Sequence, residues 1–508
     1  MESEDLRKRA LEAIDRTRWI PSWGHDRIYN MIAHRPDWCI SRQRVWGVPI
    51  PAVDCKSCGQ PLLTAEITER TAKVFESYGA DAWYERPIEE FLPEGLKCAA
   101  CGGTEFERES NILDVWFDSG SSHEAVLPRW KELRWPADIY LEGSDQHRGW
   151  FHSSLLVGIG TRGRAPFDQV LTHGFVVDEQ GRKMSKSIGN TIAPQDVIKQ
   201  SGADVLRLWV SMVDYREDIR LGKEILARVV ESYRKFRNVL RVLMANLYDF
   251  DPVADAVPRS QMLEIDRWAM ARYASVASKI VNAYDEYDYP VVYQTASAFI
   301  TVDLSAFYVD VTKDRMYTFG AKSDARRSGQ TAMYLMVEGL ARLLAPILTF
   351  TMDEVWRNLP GSREPSVHLA VFPKDLEGWE EEALLDRWAQ LSGVRDKVNG
   401  ALEEKRQAKV ITGSLSARVS LAASGALGSL LADYRDELPT IFGVSQVELD
   451  QGFTPESDAP EGVRVNVDRA DGIKCERCWR FVPSVSDIPE LKGLCERCVD
   501  ALAEPVST

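Results

Sequence analysis

Eight of the nine cysteines occur in four Cys-x-x-Cys pairs, and this spacing restricts the fold more than any other feature of the chain. In a reducing compartment such pairs indicate metal sites rather than disulfides. Structural zinc sites take four sulfur or nitrogen ligands, so two pairs supply one site. The predicted zinc ligands are Cys55, Cys58, Cys98 and Cys101 in a first set and Cys475, Cys478, Cys495 and Cys498 in a second set.

The two sets differ in the length of chain between their pairs. In the second set 16 residues separate the pairs, within the range of about 15–20 that is typical of a zinc ribbon. In the first set 39 residues separate them, so a helix near residues 67–78 has to be looped out, and free surface thiols are the alternative. Cys39, the unpaired cysteine, is expected to be a small buried apolar side chain.

Length and charge limit the class of protein. At 508 residues the chain is too long to fold around a single hydrophobic core. A typical size of about 150 residues per domain predicts three domains. The net charge of −15 argues against a non-specific nucleic-acid coat, so a specific RNA partner would need local basic patches. The sequence has no run of 18 apolar residues and no signal peptide at residues 1–5, which predicts a cytoplasmic protein without membrane contact.

Residues 181–190, GRKMSKSIGN, which we call the lysine loop, carry two lysines three positions apart between two glycines. A lysine ammonium is a compact charge on a flexible stem that can follow a phosphate group as it leaves. Gly181 and Gly189 allow the backbone to approach a ligand closely. Lys183 and Lys186 therefore indicate a site for a polyanion, and a solvated basic surface loop is the alternative.

A second segment, LEGSDQH at residues 141–147, follows a short apolar run and precedes a predicted helix that carries Trp150, Leu155 and Leu156. Residues 143–146 are therefore expected at the carboxyl end of a buried strand. Ligands of open α/β sheets bind at such ends. An acidic side chain there can accept a ribose hydroxyl, and Gly143 permits close approach.

The lysine loop and residues 141–147 together resemble the nucleotide site of class I aminoacyl-tRNA synthetases. Three further blocks are similar to isoleucyl-tRNA synthetases of bacterial type: RPDWCISRQR at residues 35–44, DVWFDSG at 114–120 and LTHGF at 171–175. With the two segments above, these blocks span most of the first 220 residues in the order of that family.

The resemblance implies a two-step reaction. Isoleucine attacks the α-phosphate of ATP, with magnesium, to give isoleucyl-adenylate, and the acyl group then passes to tRNA(Ile). Catalytic roles are implied for Lys183 and Lys186, since such chemistry depends on charges placed where negative charge develops. The residues implied for substrate and ATP binding are Glu142, Gly143, Asp145, Gln146, Lys186 and Trp116. For Trp116 and Phe117, a place among the core aromatics is the alternative to an amino-acid pocket.

The chain departs from the family in one respect. The His-x-Gly-His motif of the class occurs nowhere among its seven histidines, and the inserted editing domain is absent. We therefore interpret the chain as a C-terminal portion, either a gene fragment or one half of a split enzyme, which needs an N-terminal half in trans and is otherwise monomeric. The alternatives are a non-catalytic tRNA-binding protein and a portion of a valyl, methionyl or leucyl synthetase. The second cysteine set and the block at 35–44 favour isoleucine.

The predicted fold class is α/β followed by all-α. Residues 1–222 are expected to form the C-terminal part of a Rossmann-like class I nucleotide-binding fold, with a zinc insertion at 52–110. A charged amphipathic helix is expected at 1–17, and residues 19–24 should break this helix. Residues 223–375 are expected to form a helical bundle, with helices at 223–249, 263–287, 289–310 and 325–358. The resemblance implies that this bundle binds the anticodon. Residues 376–470 form a small α+β module and residues 471–508 a zinc finger.

Basic residues crowd one face of the helix expected at 223–249: Arg228, Arg234, Lys235, Arg237 and Arg241. A solvated helix surface would explain them, whereas the resemblance implies that this bundle grips the anticodon stem and loop of tRNA. Arg477, Arg480 and Arg497, beside the second cysteine set, are further candidates for RNA contact.

Overall fold

The structure, a computed structural model, describes all residues except 3, 375, 377, 451–461 and 504–508. The chain divides into two units: residues 1–177 with 215–219, and residues 178–214 with 220–508. Residues 451–461, part of the predicted α+β module, lie outside the described residues. The four domain bounds stay a prediction. Throughout the described part of the chain, each helix is too short or too polar to cross a membrane.

The first unit is built on a three-stranded sheet. Its helices are α1 (Leu6–Arg16), α2 (Trp23–Ala33), α3 (Ala65–Tyr78), α4 (Ala82–Glu85), α5 (Val115–Gly120), α6 (Ser122–Val126) and α7 (Trp150–Arg162). Its strands are β1 (Arg18–Ile20), β2 (Ser41–Arg42), β3 (Val53–Cys55), β4 (Pro61–Leu62), β5 (Phe106–Arg108), β6 (Ile112–Leu113), β7 (Tyr140–Gly143), β8 (Gln169–His173) and β9 (Val176–Val177). The sheet order is β1-β8-β7 with both pairs parallel, and α7 provides the crossover from β7 to β8 that parallel strands require.

The core of this unit joins the sheet to its helices. Ala10 and Ile14 of α1 have no exposed surface, which confirms the apolar stripe predicted for this helix. They share one hydrophobic cluster with Phe151 and Leu155 of α7 and with Val170 of the central strand β8. The turn after β7 is therefore held by a strand and a helix that are both anchored in the core.

The helix expected at residues 1–17 ends at Arg16, so the break predicted at 19–24 is confirmed. Arg18–Ile20 forms the parallel strand β1, and α2 begins at Trp23. One expectation for this sheet needs correction, because the strand before Gly143 is not fully buried. It lies at the edge of the sheet, where Leu141 is 54% exposed.

The zinc insertion has a core of its own. Strands β4, β3 and β5 form an antiparallel sheet, and the helix predicted near residues 67–78 is present as α3. Trp83 and Phe91, both without exposed surface, pack edge to face with ring centroids 5.0 Å apart. The long connection between the two cysteine pairs is therefore occupied by a folded helix and an aromatic cluster.

The second unit is mostly helical. Its helices are α8 (Pro194–Ser201), α9 (Ala203–Met212), α10 (Lys223–Ala245), α11 (Glu264–Asp285), α12 (Tyr289–Ala298), α13 (Asp310–Thr318), α14 (Asp324–Leu344), α15 (Thr349–Asn358), α16 (Glu382–Gln407), α17 (Gly425–Asp433), α18 (Leu438–Ile441) and α19 (Glu496–Ala503). The strands that follow β9 along the chain are β10 (Ile219–Arg220, at the boundary of the units), β11 (Ala417–Ala423), β12 (Gln446–Asp450), β13 (Val463–Arg469), β14 (Ile473–Lys474) and β15 (Phe481–Val482).

The four predicted bundle segments are all helical, with two differences. The segment expected at 289–310 continues through a π-helical stretch, Phe299–Val309, into α13 and ends only at Thr318. The segment expected at 325–358 is two helices, α14 and α15. Pro346 lies between them, and proline cannot donate the backbone hydrogen bond that would continue a helix.

A buried ion pair joins four helical segments of the bundle. Asp266 of α11 has no exposed surface, and Arg315 of α13 donates to its two carboxylate oxygens at 2.8 and 2.6 Å. The hydroxyl groups of Tyr308 and Ser328 donate to the same oxygens at 2.7 and 2.5 Å. A buried charge needs such complete pairing, and the pairing fixes how these helices pack.

After α16 the chain forms the predicted α+β module. Strand β11 lies between β12, to which it is parallel, and β13, to which it is antiparallel. A two-stranded antiparallel sheet, β14 and β15, and helix α19 then complete the C-terminal finger. The fold class, α/β followed by helical and α+β parts, is thus confirmed.

Candidate functional site

The predicted nucleotide-contact segment follows the edge strand β7. A 3₁₀ turn, Ser144–His147, leads from this strand into α7. Gln146 Oε1 accepts a hydrogen bond from the Trp150 N–H at 2.9 Å, which ties the turn to the start of the helix. A Cβ atom on Gly143 would lie 2.9 Å from Asp145 Oδ1, so only glycine leaves the carboxylate in its present position.

The four residues predicted to contact nucleotide are brought together in this turn. Glu142 and Asp145 are exposed, Gln146 is half-buried and Gly143 is buried. The Glu142 carboxylate accepts the N–H of Gly143 at 3.3 Å, and Gln146 Nε2 lies 3.4 Å from Asp145 Oδ2. Two carboxylates and an amide thus face solvent at the carboxyl end of a strand, where a ribose or an amine can reach them.

Trp116 lies beside the same turn. The carboxylate of Asp114 accepts the Trp116 N–H at 3.0 Å and begins helix α5. A Cβ atom on Gly149 would lie 2.8 Å from the Trp116 ring, so the indole approaches the backbone at the start of α7. Because Trp116 is 43% exposed, the alternative that it belongs to the core does not hold. Phe117, for which the same alternative was stated, is half-buried against Trp38.

In the block at 171–175, steric crowding explains why position 174 is a glycine. A Cβ atom on Gly174 would lie 2.2 Å from the carbonyl oxygen of Glu217, which is closer than any side chain tolerates. The Gly174 N–H donates to the carbonyl of Tyr215 at 2.8 Å. The end of the central strand is therefore closed against residues 215–219 of the same unit.

The lysine loop belongs to the second unit, whereas residues 141–147 belong to the first. Both Lys183 and Lys186 are exposed. The loop turns at residues 186–189, where Gly189 adopts a φ of +73° that glycine tolerates. Its N–H donates to the carbonyl of Ser185 at 3.2 Å. Lys186 thus projects from a defined turn, and Lys183 lies three residues before it.

Two residues that we did not single out in the sequence hold this loop, and we call them the Asp178–Asn190 clasp. Asn190 Nδ2 donates to Asp178 Oδ2 at 2.9 Å, and Asn190 Oδ1 accepts the Ser185 N–H at 2.9 Å. Asp178 also accepts the Arg182 N–H and Nε, both at 2.8 Å. Short polar residues that bracket a glycine-bounded loop are the signal that could have indicated the clasp.

The clasp is charged at neutral pH. Hydrogen bonding from Asn190, followed by the N–H and guanidinium of Arg182, lowers the pKa of Asp178 to about 2 in spite of burial. An unfolded aspartate has a pKa of about 3.9. The stabilisation is therefore complete above about pH 4 and is lost as the pH falls towards 2.

The first cysteine set forms one cluster. The four sulfurs lie within 4.8 Å of one another, with Cys55 Sγ 3.6 Å from Cys101 Sγ and Cys58 Sγ 3.6 Å from Cys98 Sγ. A tetrahedral zinc with bonds of about 2.3 Å places its sulfurs about 3.8 Å apart, so the set fits this ion. A Cβ on Gly103 would lie 3.2 Å from Cys55 Sγ, so glycine leaves room for the cluster.

The second cysteine set is fully buried and equally compact. Its sulfurs also lie within 4.8 Å of one another, and Cys478 Sγ is 3.8 Å from Cys495 Sγ. Burial acts to raise the pKa of the Cys475 thiol, but backbone N–H groups of Cys478 and Cys495 outweigh it and bring the pKa to about 6. A thiolate at neutral pH is the form that binds metal. Both cysteine sets therefore form compact sites that fit zinc, which argues against the alternative of free thiols.

The arginines of the finger contact the bundle. Arg497 donates to both carboxylate oxygens of Asp314 at 2.7 and 3.0 Å, and Arg480 lies 3.2 Å from the same carboxylate. Arg477 donates to the carbonyl of Thr318 and to Cys498 Sγ, the latter at 3.7 Å. Their expected role as RNA contacts needs correction, because these charges attach the finger to α13.

The basic face of α10 is exposed as predicted. Arg237 pairs with Glu354 through two hydrogen bonds of 2.7 and 2.8 Å. Arg228, Arg234, Lys235 and Arg241 form no ion pair with any carboxylate in the described part of the chain. Four of the five predicted cations are therefore available to an anionic partner, and Arg237 is not.

Cys39 is exposed, so the expectation of a buried apolar side chain is wrong. Its thiol lies 3.4 Å from the Ser41 hydroxyl, and this hydrogen bond lowers its pKa. The short apolar run around it, Trp38 to Ile40, borders the solvent because the next residues pair only as the two-residue strand β2.

Comparison with known proteins agrees with this architecture. Residues 1–222 match the family described as tRNA synthetases class I (I, L, M and V), residues 266–421 match the anticodon-binding domain of tRNA ligase, and residues 472–501 match a zinc finger found in FPG and IleRS. Two solved structures share the fold. One is a LeuRS of Agrobacterium radiobacter K84 with tRNA and LeuAMS, at a TM-score of 0.50 and 19% identity over 68% of this chain and 43% of that one. The other is Mycobacterium tuberculosis methionyl-tRNA synthetase with methionyl-adenylate. Its TM-score is 0.50 and its identity 15%, over 70% of this chain and 61% of that one.

By its fold and by these matches the chain is similar to class I tRNA synthetases. It is 51% identical over 505 residues to the isoleucine–tRNA ligase of Geobacter sulfurreducens, and 50% identical over 509 residues to that of Syntrophotalea carbinolica. Within that class these identities make the chain similar to isoleucine–tRNA ligases. These alignments cover 99% of this chain and 55% of each relative, so the chain spans about half the length of the curated relatives it matches.

We expect the purified chain to carry about two zinc ions, one for each cysteine set. Cys58→Ser and Cys495→Ser should each reduce the content to about one ion, because each removes a single ligand from a different site. Elemental analysis by mass spectrometry measures this content. Cys39→Ser is the matched control and should keep both ions; eight freely titratable thiols in the folded wild type would contradict both sites.

Loss of the clasp should loosen the lysine loop. In Asn190→Ala the loop loses its links to Asp178 and Ser185, and we expect trypsin to cleave after Lys183 and Lys186 about tenfold faster, since a hydrogen-bond network of this size contributes on the order of 1.4 kcal/mol. Timed proteolysis followed by peptide mass spectrometry measures the rate. Ser187→Ala, in the same loop but outside the clasp, should match the wild type, and equal rates for both variants would argue against the clasp.

Proposed function

We propose that this chain supplies the adenylate-contacting turn, the lysine loop and the tRNA-binding part of an isoleucine–tRNA ligase. In this function isoleucine is activated with ATP to isoleucyl-adenylate and is then transferred to tRNA(Ile). The observation that carries the proposal is the lysine loop, in which a charged clasp holds the backbone while Lys183 and Lys186 remain exposed. Identity of about half to isoleucine–tRNA ligases along nearly the whole chain supports the choice of amino acid.

The proposed chemistry needs charge rather than a protein nucleophile. The isoleucine carboxylate attacks the α-phosphate of ATP, and pyrophosphate leaves with the electrons of the broken P–O bond. Lys183 and Lys186 would stabilise the negative charge that gathers on the leaving group. Glu142, Gly143, Asp145 and Gln146 would contact the ribose and the aminoacyl-adenylate, and the exposed indole of Trp116 would border the isoleucine side chain.

The proposal includes a division of labour along the chain. We propose that residues 1–222 form the catalytic part, 223–375 the anticodon-binding bundle, 376–470 the α+β module and 471–508 the finger. The eight paired cysteines would bind two structural zinc ions in a reducing, cytoplasmic setting. Because the chain covers 55% of its relatives and contains no His-x-Gly-His sequence, efficient catalysis would require the remainder of the relatives' length, fused or in trans.

Lys186→Ala tests the catalytic part. The chain alone should give almost no ATP–pyrophosphate exchange with isoleucine, and exchange should appear when the remaining segment of a relative is supplied. In that reconstituted system Lys186→Ala should lower the exchange rate about a hundredfold, or about 3 kcal/mol, and weaken ATP binding much less, because the lysine acts on charge that develops in the transition state.

Lys199→Ala is the matched control, since Lys199 is an exposed lysine of the neighbouring helix α8. It should retain wild-type exchange, and zinc content and thermal unfolding should be equal in both variants. Full activity of Lys186→Ala would disprove the assigned role of the loop, and vigorous exchange by the isolated chain would disprove the need for a second segment.

The unpaired cations of α10 support tRNA binding. The double variant Arg234→Gln/Arg241→Gln should weaken binding of tRNA(Ile) and reduce the slope of log K against log salt by about two, because each lost phosphate contact removes about one released counterion. Filter binding at several salt concentrations measures both. Arg237→Gln is the control, since Glu354 already occupies that guanidinium. An unchanged salt slope in the double variant would exclude this face from the interface.

A further inference from the structure

The first unit contains a basic cleft beside Trp116, and the basic residues of this cleft have no role in the proposed function. Two cavities, of about 210 and 530 Å³, share Arg35, Arg148 and His152 among their lining residues. Arg27 and His34 add to the lining of the larger one. These five residues, which we call the basic cleft, lie in α2, in the segment that follows it, and at or just before the start of α7.

The charge of this cleft is one-sided. Three arginines line the larger cavity, and none of its described lining residues is acidic. Asp114 alone supplies a carboxylate to the smaller one. That carboxylate is already bound, because it accepts from Trp116 N at 3.0 Å, from Trp38 Nε1 at 3.1 Å and from Arg42. The cleft is therefore positively charged, although the chain as a whole carries a net charge of −15.

The arginines of the cleft are not paired within the protein. Across the described residues, Arg27, Arg35 and Arg148 form no ion pair with a carboxylate. Arg35 is half-buried. Burial lowers its pKa, the carboxylate of Asp114 raises it, and the charge of Arg148 lowers it. An anion bound between Arg35 and Arg148 would reduce the repulsion between their two guanidinium groups.

His152 adds a neutral donor to the cleft. Its side chain lies on the first turn of α7 and is only 4% exposed, and its Nε2 is buried without a hydrogen-bond partner among the described residues. Burial first, and the charges of Arg35 and Arg148 second, lower its pKa to about 4. The imidazole is therefore neutral at pH 7 and carries one N–H. The start of a 13-residue helix contributes a partial positive charge at the same place.

We propose that the basic cleft binds a phosphate group. Arginine forks match phosphate oxygens in pairs, and the unpaired donors reach the cleft from three segments of the chain, which suits a group with several equivalent oxygens. The group can belong to a free nucleotide or pyrophosphate, or to the backbone of an RNA strand. This site lies in the first unit and involves neither of the lysines to which the proposed function assigns phosphate contact.

Titration calorimetry of the full chain with pyrophosphate tests the site, in a Lys183→Ala/Lys186→Ala background that takes away both ammonium groups of the lysine loop. In that background Arg148→Gln should weaken pyrophosphate binding at least tenfold, since a charge-assisted hydrogen-bond pair is lost. Arg129→Gln, an exposed arginine of the same unit, is the matched control and should bind as its parent does. Because Arg148 is exposed, its replacement should leave circular dichroism and thermal unfolding unchanged.

Nuclear magnetic resonance of the His152 imidazole supplies an independent readout. Pyrophosphate should shift the Nε2 resonance in the parent and not in Arg148→Gln. A short single-stranded RNA that displaces pyrophosphate identifies the RNA backbone as the source of the phosphate, and a lack of displacement identifies a nucleotide or pyrophosphate. Equal binding of pyrophosphate by the Arg148→Gln variant and its parent, with no shift at His152, would overturn the proposal while leaving the role of Lys186 untouched.

Discussion

A carboxylate that is buried in a helical bundle has to be matched by a cation at the same depth, and the second unit is built around one such match. Asp266 is neutralised by Arg315 of α13. The preceding residue on the same helix, Asp314, holds Arg497 and Arg480 of the finger. These two consecutive residues therefore fix the packing of the bundle and the position of the zinc finger, and α13 links the two.

The same matching explains where positive charge remains available. The chain has 62 basic and 77 acidic residues, so most arginines in the structure are held by a carboxylate, as Arg237 is by Glu354 and Arg182 by Asp178. Exceptions in the described part of the chain include one face of α10, the lysine loop and the basic cleft. In an acidic protein such exceptions attract anions selectively, because the surrounding charge repels them elsewhere.

Much of this organisation could be predicted from the sequence. Cysteine spacing and helical periodicity are local signals, so both cysteine clusters and the bundle helices were predictable. The strand β1 was not, since three residues are too few for a period to appear. The roles of Arg480 and Arg497 depend on Asp314, which lies more than 150 positions away, and no local pattern distinguishes a docking arginine from one that binds RNA. The clasp was missed for a related reason, because Asp178 and Asn190 stand on opposite sides of the lysines that draw attention to the loop.

Four thiolates around a divalent ion leave two negative charges in excess, and this excess has a neighbour in the finger. Arg477 donates to Cys498 Sγ, and the cysteine charges help to hold the positive charge of Arg497. The arginines that attach the finger to α13 are thus also counterions of its cluster. Oxidation of the thiols would remove this counter-charge and weaken the contacts of Arg477 and Arg497 with the cluster, whereas the pairs that Asp314 forms with Arg497 and Arg480 do not depend on the thiols.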